Sequence, residues 1–403
     1  MGGQGRERGT SVALHDLNEF FKLSAALNYQ LSARVVGHDS ILATIVGGRR
    51  LSDADRDILM SVLEYLEQAY HEKYRRLGPK AVLHPLRASA LLVRAHGEVV
   101  MLDLLAELLH DKFEDILAED YRPDEWQRLE AQFHNLLKRV DPKSEWFLME
   151  RLDQLTRRKE EETYYQYIGR LLERATLTPE LVRVKLADRL DNTLDMRVDF
   201  RDPLDEVRFF QSMFQLLFSR HYQGFAADMP HPPRPPLDGA RRLYDLFKNT
   251  VVLSLVRQTK AIADDDETAG SLFEAIAIAG MLEAQRILVH IFTYHYQEVE
   301  RQRQLMLETM EYCWHGGLES VTPGSAPHRL DGLFLERFDS TSSEIRQRQL
   351  EKLYDDKELM IAAASAFIVI FLNFLHDESY FVQGVSTAGI HPDASEPRGA
   401  RQG

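Results

Sequence analysis

The chain has 403 residues, 44% hydrophobic and 28% charged, long enough for two domains of ordinary size and able to bury a real core in solution. Its net charge of −14 excludes a general binder of nucleic acid or anionic membranes, while leaving room for a local basic pocket around a phosphorylated ligand. A single cysteine, Cys313, excludes an intrachain disulfide and fits a reducing cytoplasm.

The opening residues, MGGQGRERGT, carry no apolar run after their charges and read as a disordered arm over 1–10 rather than a secretory signal. Beyond them strand signals are scarce and apolar residues recur at helical spacing, which predicts an all-α fold. Helices are expected over 12–36, 53–76, 85–96, 99–118, 123–139, 144–175, 179–197, 204–220, 238–262, 266–300, 302–314, 343–354 and 357–376. Ser52 with Asp55 resembles a capping box, Pro85 suits the first turn of the third of these helices, and Gly97 stops it. Thr178-Pro179-Glu180 opens the helix expected over 179–197. Five prolines between Met229 and Pro236 exclude a helix there and mark an extended connector, and a second loop spans Gly316 to Asp331. The apolar run Met360 to Leu375 is shorter than the roughly 20 residues a membrane span needs, and reads as a buried core helix. Gly, Ser, Pro and Ala dominate the tail from 384 to 403, which is expected to be disordered. The pattern divides into a helical domain over 11–203 and a second helical domain over 204–383, the expected surface for any homo-oligomer.

The densest chemistry lies in Leu108-Leu109-His110-Asp111-Lys112-Phe113-Glu114-Asp115. On a continuous helix His110 and Glu114 would share one side, and so would Asp111 and Asp115, each pair being four residues apart. Such polar groups are costly to bury in an apolar segment unless something pairs with them, and a divalent metal with its water is a natural partner. Upstream stands Leu83-His84-Pro85-Leu86. Downstream, Val184-Lys185-Leu186-Ala187-Asp188-Arg189-Leu190-Asp191-Asn192 places Asp188, Asn192 and Asp195 on one helix face.

The order His, His-Asp, Asp resembles the HD-domain metal phosphohydrolases. Arg75-Arg76-Leu77-Gly78 before His84-Pro85 is similar to the "RKSG…HP" stretch of the RelA/SpoT-type hydrolases. "LLHDKFED" is similar to their "LLHDVVED", and "KLADRLDN" to their "KLADRLHN". The likeness covers about a third of the chain, from His71 to Met196. It implies an HD-type helical bundle holding a divalent metal, Mn²⁺ first and Fe²⁺ or Zn²⁺ as alternatives, on His84, His110, Asp111 and Asp188. It assigns Glu114 and Asp115 to the metal-bound water as catalytic residues, Arg75 to a nucleobase, Arg76 to phosphates and Asn192 to the ribose. Lys185 and Arg157 are candidate substrate contacts, although Arg157-Arg158-Lys159 also reads as a solvated charge run.

The implied activity is removal of the 3′-pyrophosphate of guanosine tetra- or pentaphosphate, giving GDP or GTP. The alternatives are another phosphorylated nucleotide as substrate, or nucleotide sensing without turnover. The expected partner is a phosphorylated purine nucleotide, with no membrane. Asp191 stands where the family has His, and Asp195 where it has Thr, so the ribose end of the pocket is expected to be more acidic. The strand-rich pattern of the synthetase domain that follows in the long enzymes is missing, and no synthetase activity is expected.

Overall fold

Helix starts written into the sequence reappear in the computed structural model. It describes residues 13–390 except 33–36, 72, 76–79, 96–99, 141, 198–212, 214–215, 218–238, 297, 315–327, 331–333, 335–336, 339, 383 and 388. Ser52 Oγ accepts the Asp55 N–H at 3.1 Å and donates to its carboxylate at 2.7 Å, opening the helix Asp53–Ala69. Asp266 and Asp356 cap two later helices in the same way, through the N–H groups of Ala269 and Leu359. Among the described residues the fold is all-α, apart from one short hairpin.

Helices α1 (Leu17–Ser32), α2 (His38–Val46) and α3 (Asp53–Ala69) pack around α4 (Leu83–Ala95) and α5 (Met101–Leu109). A short α6 (Lys112–Asp115) follows, then α7 (Pro123–Leu137), α8 (Pro142–Leu155) and α9 (Tyr164–Ala175). Helix α10 (Glu180–Arg197) is the central strut. It packs on α4, α5 and α9, and also on α12 (Glu267–Tyr294) from the second half of the chain. Helices α11 (Gly239–Gln258), α13 (Val299–Trp314), α14 (Ser343–Asp355) and α15 (Lys357–His376) complete the array. The buried apolar core runs without a break from α1 to α15.

Helices α12 and α15 are each long and apolar enough to cross a membrane, yet 72% of the most apolar window of each is buried within the chain. They lie against one another so closely at Gly280 that a Cβ there would come within 2.8 Å of the Phe371 ring. Burial to this extent is that of apolar helices packed in a core.

Several expected boundaries shift. The helix expected over 144–175 is two helices, broken at Thr156–Thr163, where Glu160 adopts a positive φ of 67°. A capping box of Thr163 with Gln166 restarts the chain as α9. The helix expected over 99–118 ends at Leu109. His110 and Asp111 form a turn, and Glu114 and Asp115 bond back to the Asp111 carbonyl at 3.0 and 2.8 Å. The helix expected over 53–76 stops at Ala69, so Arg75 lies in a loop. Helix α2 was not anticipated, and 266–300 stops short, at Tyr294.

The tail expected to be disordered from 384 begins instead with a hairpin, β1 (Val385–Ser386) paired antiparallel with β2 (Gly389–Ile390). Val382 and Val385 are buried there, and Thr387 sits so close to Gly169 of α9 that no Cβ would fit between them. Apolar anchors thus outweigh the small-residue composition. The proline connector, residues 391–403, the arm over 1–10 and all but three residues of the helix expected over 204–220 lie outside the described residues, as does the domain boundary near 203.

Candidate metal centre

The side chains of His84, His110, Asp111 and Asp188 converge on one small space. His84 enters from the first turn of α4, His110 and Asp111 from the turn after α5, and Asp188 from the middle of α10. The two imidazole Nε2 atoms are 3.2 Å apart. His84 Nε2 lies 3.4 Å from Asp111 Oδ2 and 3.3 Å from Asp188 Oδ1, and His110 Nε2 lies 3.2 Å from Asp111 Oδ1 and 3.8 Å from Asp188 Oδ1. Both histidines are 4% exposed and Asp188 6%, and the cluster opens to water on the side of Asp111, whose side chain is 22% exposed.

An outer ring fixes which imidazole nitrogen faces inward. His84 Nδ1 sits 2.6 Å from Asp191 Oδ2, and His110 Nδ1 sits 2.7 Å from the Glu107 carbonyl oxygen. With the Nδ1–H groups donating outward, each Nε2 presents a lone pair to the common space. Asp191 is itself clamped by Arg87, whose Nε and Nη2 donate to its two oxygens at 2.8 and 3.0 Å. Asn192 Nδ2 donates to Asp188 Oδ1 at 2.5 Å, and Lys185 Nζ holds Asp188 Oδ2 at 2.7 Å.

The electrostatics favour a cation. Burial opposes charge on both imidazoles, as Arg75 does at His84, yet the surrounding carboxylates outweigh this and raise both pKa values. Burial likewise opposes charge on Asp111 and Asp188. The imidazoles, joined at Asp188 by Lys185, nonetheless hold both carboxyls below the usual range. Two imidazole nitrogens with two carboxylates make a mixed N/O donor set suited to Mn, Fe or Zn. The residues therefore fit the metal that the resemblance implies.

The remaining expected site residues divide. Arg75 comes to the centre, but its guanidinium is committed: Nη2 donates to Asn192 Oδ1 at 2.7 Å and Nη1 to Asp195 Oδ2 at 3.0 Å. Arg76 lies outside the described residues. Glu114 turns away from the cluster, accepting the Arg157 backbone N–H at 2.7 Å and pairing with Lys159 Nζ at 3.1 Å. Asp115 reaches solvent, although packing beneath its carboxyl and then the Asp111 charge raise its pKa. Arg157 lays its guanidinium over the Tyr164 ring.

The more acidic ribose end is not found. Asp191 is fully buried beneath His84 and Arg87, and Asp195 bridges Arg87 and Arg75.

Sequence reasoning missed Arg87, Glu107 and the outer role of Asp191. Arg87, a cation one turn after His84 in the apolar first half of its helix, was the available signal, because such a residue needs a buried carboxylate. Comparison with known proteins adds nothing to these observations: no family model, no curated protein and no solved structure matches the chain.

Proposed function

We propose that this chain is a divalent-metal-dependent phosphohydrolase acting on a phosphorylated nucleotide, with removal of a 3′-pyrophosphate from guanosine tetra- or pentaphosphate as its first candidate reaction. The carrying observation is the facing pair of Nε2 atoms, 3.2 Å apart, with Asp111 and Asp188 beside them and both Nδ1 atoms bonded outward. The two imidazole Nε2 atoms and the Asp111 carboxylate meet closely enough to share one cation, with Asp188 beside them. The resemblance of the three motifs to the RelA/SpoT-type hydrolases supplies the substrate class.

A divalent cation held by His84, His110, Asp111 and Asp188 would supply Lewis acidity and lower the pKa of a water. The chain's own residues do the rest. Asp191 and the Glu107 carbonyl hold the imidazoles in one tautomer and orientation. Asn192 and Lys185 hold Asp188. Asp115, at the rim and with a raised pKa, accepts a proton from the attacking water. The new bond forms from water oxygen to the 3′-linked phosphorus, and the bond from phosphorus to the ribose 3′ oxygen breaks, that oxygen taking up the proton that Asp115 received.

The test is to incubate metal-loaded protein with 3′- and 5′-phosphorylated nucleotides and chromatograph the products. GDP with pyrophosphate from guanosine tetraphosphate supports the first candidate. Turnover of a different nucleotide alone moves the substrate and keeps the chemistry. One observation favours binding without turnover, the engagement of Glu114 by Arg157 and Lys159. Saturable nucleotide binding with no product from any member of the panel would select that reading.

A further inference from the structure

Beyond Asp188 lies a second group of polar side chains drawn from both halves of the chain. Arg157 comes from the connection between α8 and α9, Tyr164 begins α9, Lys185 and Arg189 stand on α10, and Lys248 stands on α11. The Arg157 guanidinium carbon is 5.6 Å from the centre of the Tyr164 ring, and Lys185 Nζ is 4.9 Å from the centre of the Tyr167 ring. Arg189 donates to Asn249 Oδ1 at 2.7 and 3.0 Å and to the Asp245 carbonyl at 3.2 Å, which ties α10 to α11 beside Lys248. Lys248 pairs with Asp245 and lies over the Tyr244 ring.

Charge does not balance here. Arg157, Lys185, Arg189 and Lys248 face the carboxylates of Asp188 and Asp245, while Glu114 and Lys159 pair with each other at the edge. Burial, with repulsion from Arg189 and Arg157, brings the Lys248 ammonium down to about 8 despite Asp245. A chain of net charge −14 has no general reason to gather cations around one buried tyrosine. Two buried donors also lack an acceptor, Arg157 Nε and the Tyr164 hydroxyl. A guanidinium N–H can only donate, and a buried donor left unpaired is costly. The missing partner is therefore an acceptor, and the excess positive charge makes it an anion.

We propose that Arg157, Tyr164 and Lys248 form the seat of a phosphoryl or pyrophosphoryl group, set beside Asp188 and built from both halves of the chain. This places the second half of the chain in substrate recognition. Its role in a reaction rests on the phosphohydrolase reading, but the binding of an anion does not. A phosphoryl dianion offers several acceptor oxygens and the negative charge that this cluster lacks.

The experiment is calorimetric titration of the full chain with inorganic pyrophosphate, with metal content measured on the same samples. Wild type should bind saturably. Lys248→Gln and Arg157→Gln should each weaken binding about tenfold to a hundredfold, the usual weight of a charged hydrogen bond, at unchanged metal content. Tyr164→Phe, which keeps the ring and the fold, should weaken it about threefold, and Lys248→Arg should restore most of the loss. No saturable binding by wild type, or wild-type affinity in all three weakening variants, overturns the seat. Metal absent from wild type, with pyrophosphate bound and weakened by the variants, overturns the metal-enzyme reading and leaves the seat standing. Competition by a nucleoside 3′-monophosphate assigns the seat to a nucleotide. Pyrophosphate binding without that competition assigns it to the free anion.

Discussion

His84 Nε2 and His110 Nε2 face each other across 3.2 Å, and each ring is turned into that position by a hydrogen bond on its far side. Nothing in core packing calls for two buried imidazole edges to meet beside two carboxylates. The arrangement is stable when a positive charge, a proton or a metal ion, occupies the space.

Metal loading should therefore stabilise the fold. A cation at a hundred times its dissociation constant adds about 2.7 kcal/mol to unfolding. Differential scanning calorimetry with Mn²⁺ and then with excess chelator should show the melting temperature rising and returning. In the double variant His110→Ala, Asp111→Ala the two scans should coincide. A metal-dependent shift that persists in the variant would place the ion elsewhere.

The outer ring should matter nearly as much as the ligands. Asp191→Asn removes the charge that receives His84 Nδ1–H and leaves Arg87 with only Asp195. Metal affinity should fall roughly 10–100-fold. Unfolding should lose about 3 kcal/mol, because a buried cation is left under-paired. Chelator competition and urea titration read the two effects separately. A loss of stability with metal affinity intact would make Asp191 a partner of Arg87 alone.

Much of this was legible in the sequence for a physical reason. His84, Asp111 and Asp188 lie at or near helix ends or on polar stripes of otherwise apolar segments, and apolar periodicity makes such exceptions visible. The missing information is of two kinds. Helix breaks at His110–Asp111 and at Thr156–Thr163 depend on where backbone N–H groups find acceptors, such as the Arg157 N–H on Glu114, forty-three residues apart. Those breaks undo the shared helical face expected for His110 with Glu114. The second kind is long-range pairing. Asp191 looked like a change in the substrate pocket because its partner Arg87 lies on another helix. Lys112, in the same motif as His110 and Asp111, is likewise buried against partners distant in sequence, Glu130 and the rings of Trp126 and Phe133, besides that of Phe113.

Helix α5 should carry a pH signature. Asp103 is buried, and its carboxyl is raised to about 6, mainly by that burial and then by Glu180. Arg183, 3.8 Å away, is committed to Asp266 at 2.8 Å. Arg151 pulls in the same direction as Arg183, and Asp266 opposes both. The folded chain keeps this proton up to about pH 6, the unfolded chain only to the ordinary 3.8. Between those values the folded state binds more protons, so stability from this group is greatest below pH 3.8 and falls as pH rises through 6. The stability of wild type minus that of Asp103→Asn should drop by on the order of 2 kcal/mol between pH 4 and pH 7. A flat difference would mean that Asp103 ionises normally.

The paired acids after His110-Asp111 should prove unequal. Glu114 has both oxygens engaged, by the Arg157 N–H and by Lys159, so its carboxylate anchors the turn that follows α8. Asp115 is exposed, and its main chain is held through the carbonyl by Lys73 at 2.5 Å, which leaves the carboxylate free to take a proton. Asp115→Asn should leave metal content unchanged and lower kcat by roughly 10²–10⁴-fold, the usual weight of a general base. Glu114→Gln should act mainly on KM, because loosening Arg157 disturbs the phosphoryl seat before it disturbs the water. The reverse pattern, a collapse of kcat in Glu114→Gln and a near-normal Asp115→Asn, would require Glu114 to leave Arg157 and swing to the centre when substrate binds. Loss of kcat in both variants at equal metal content would make the two acids a single unit.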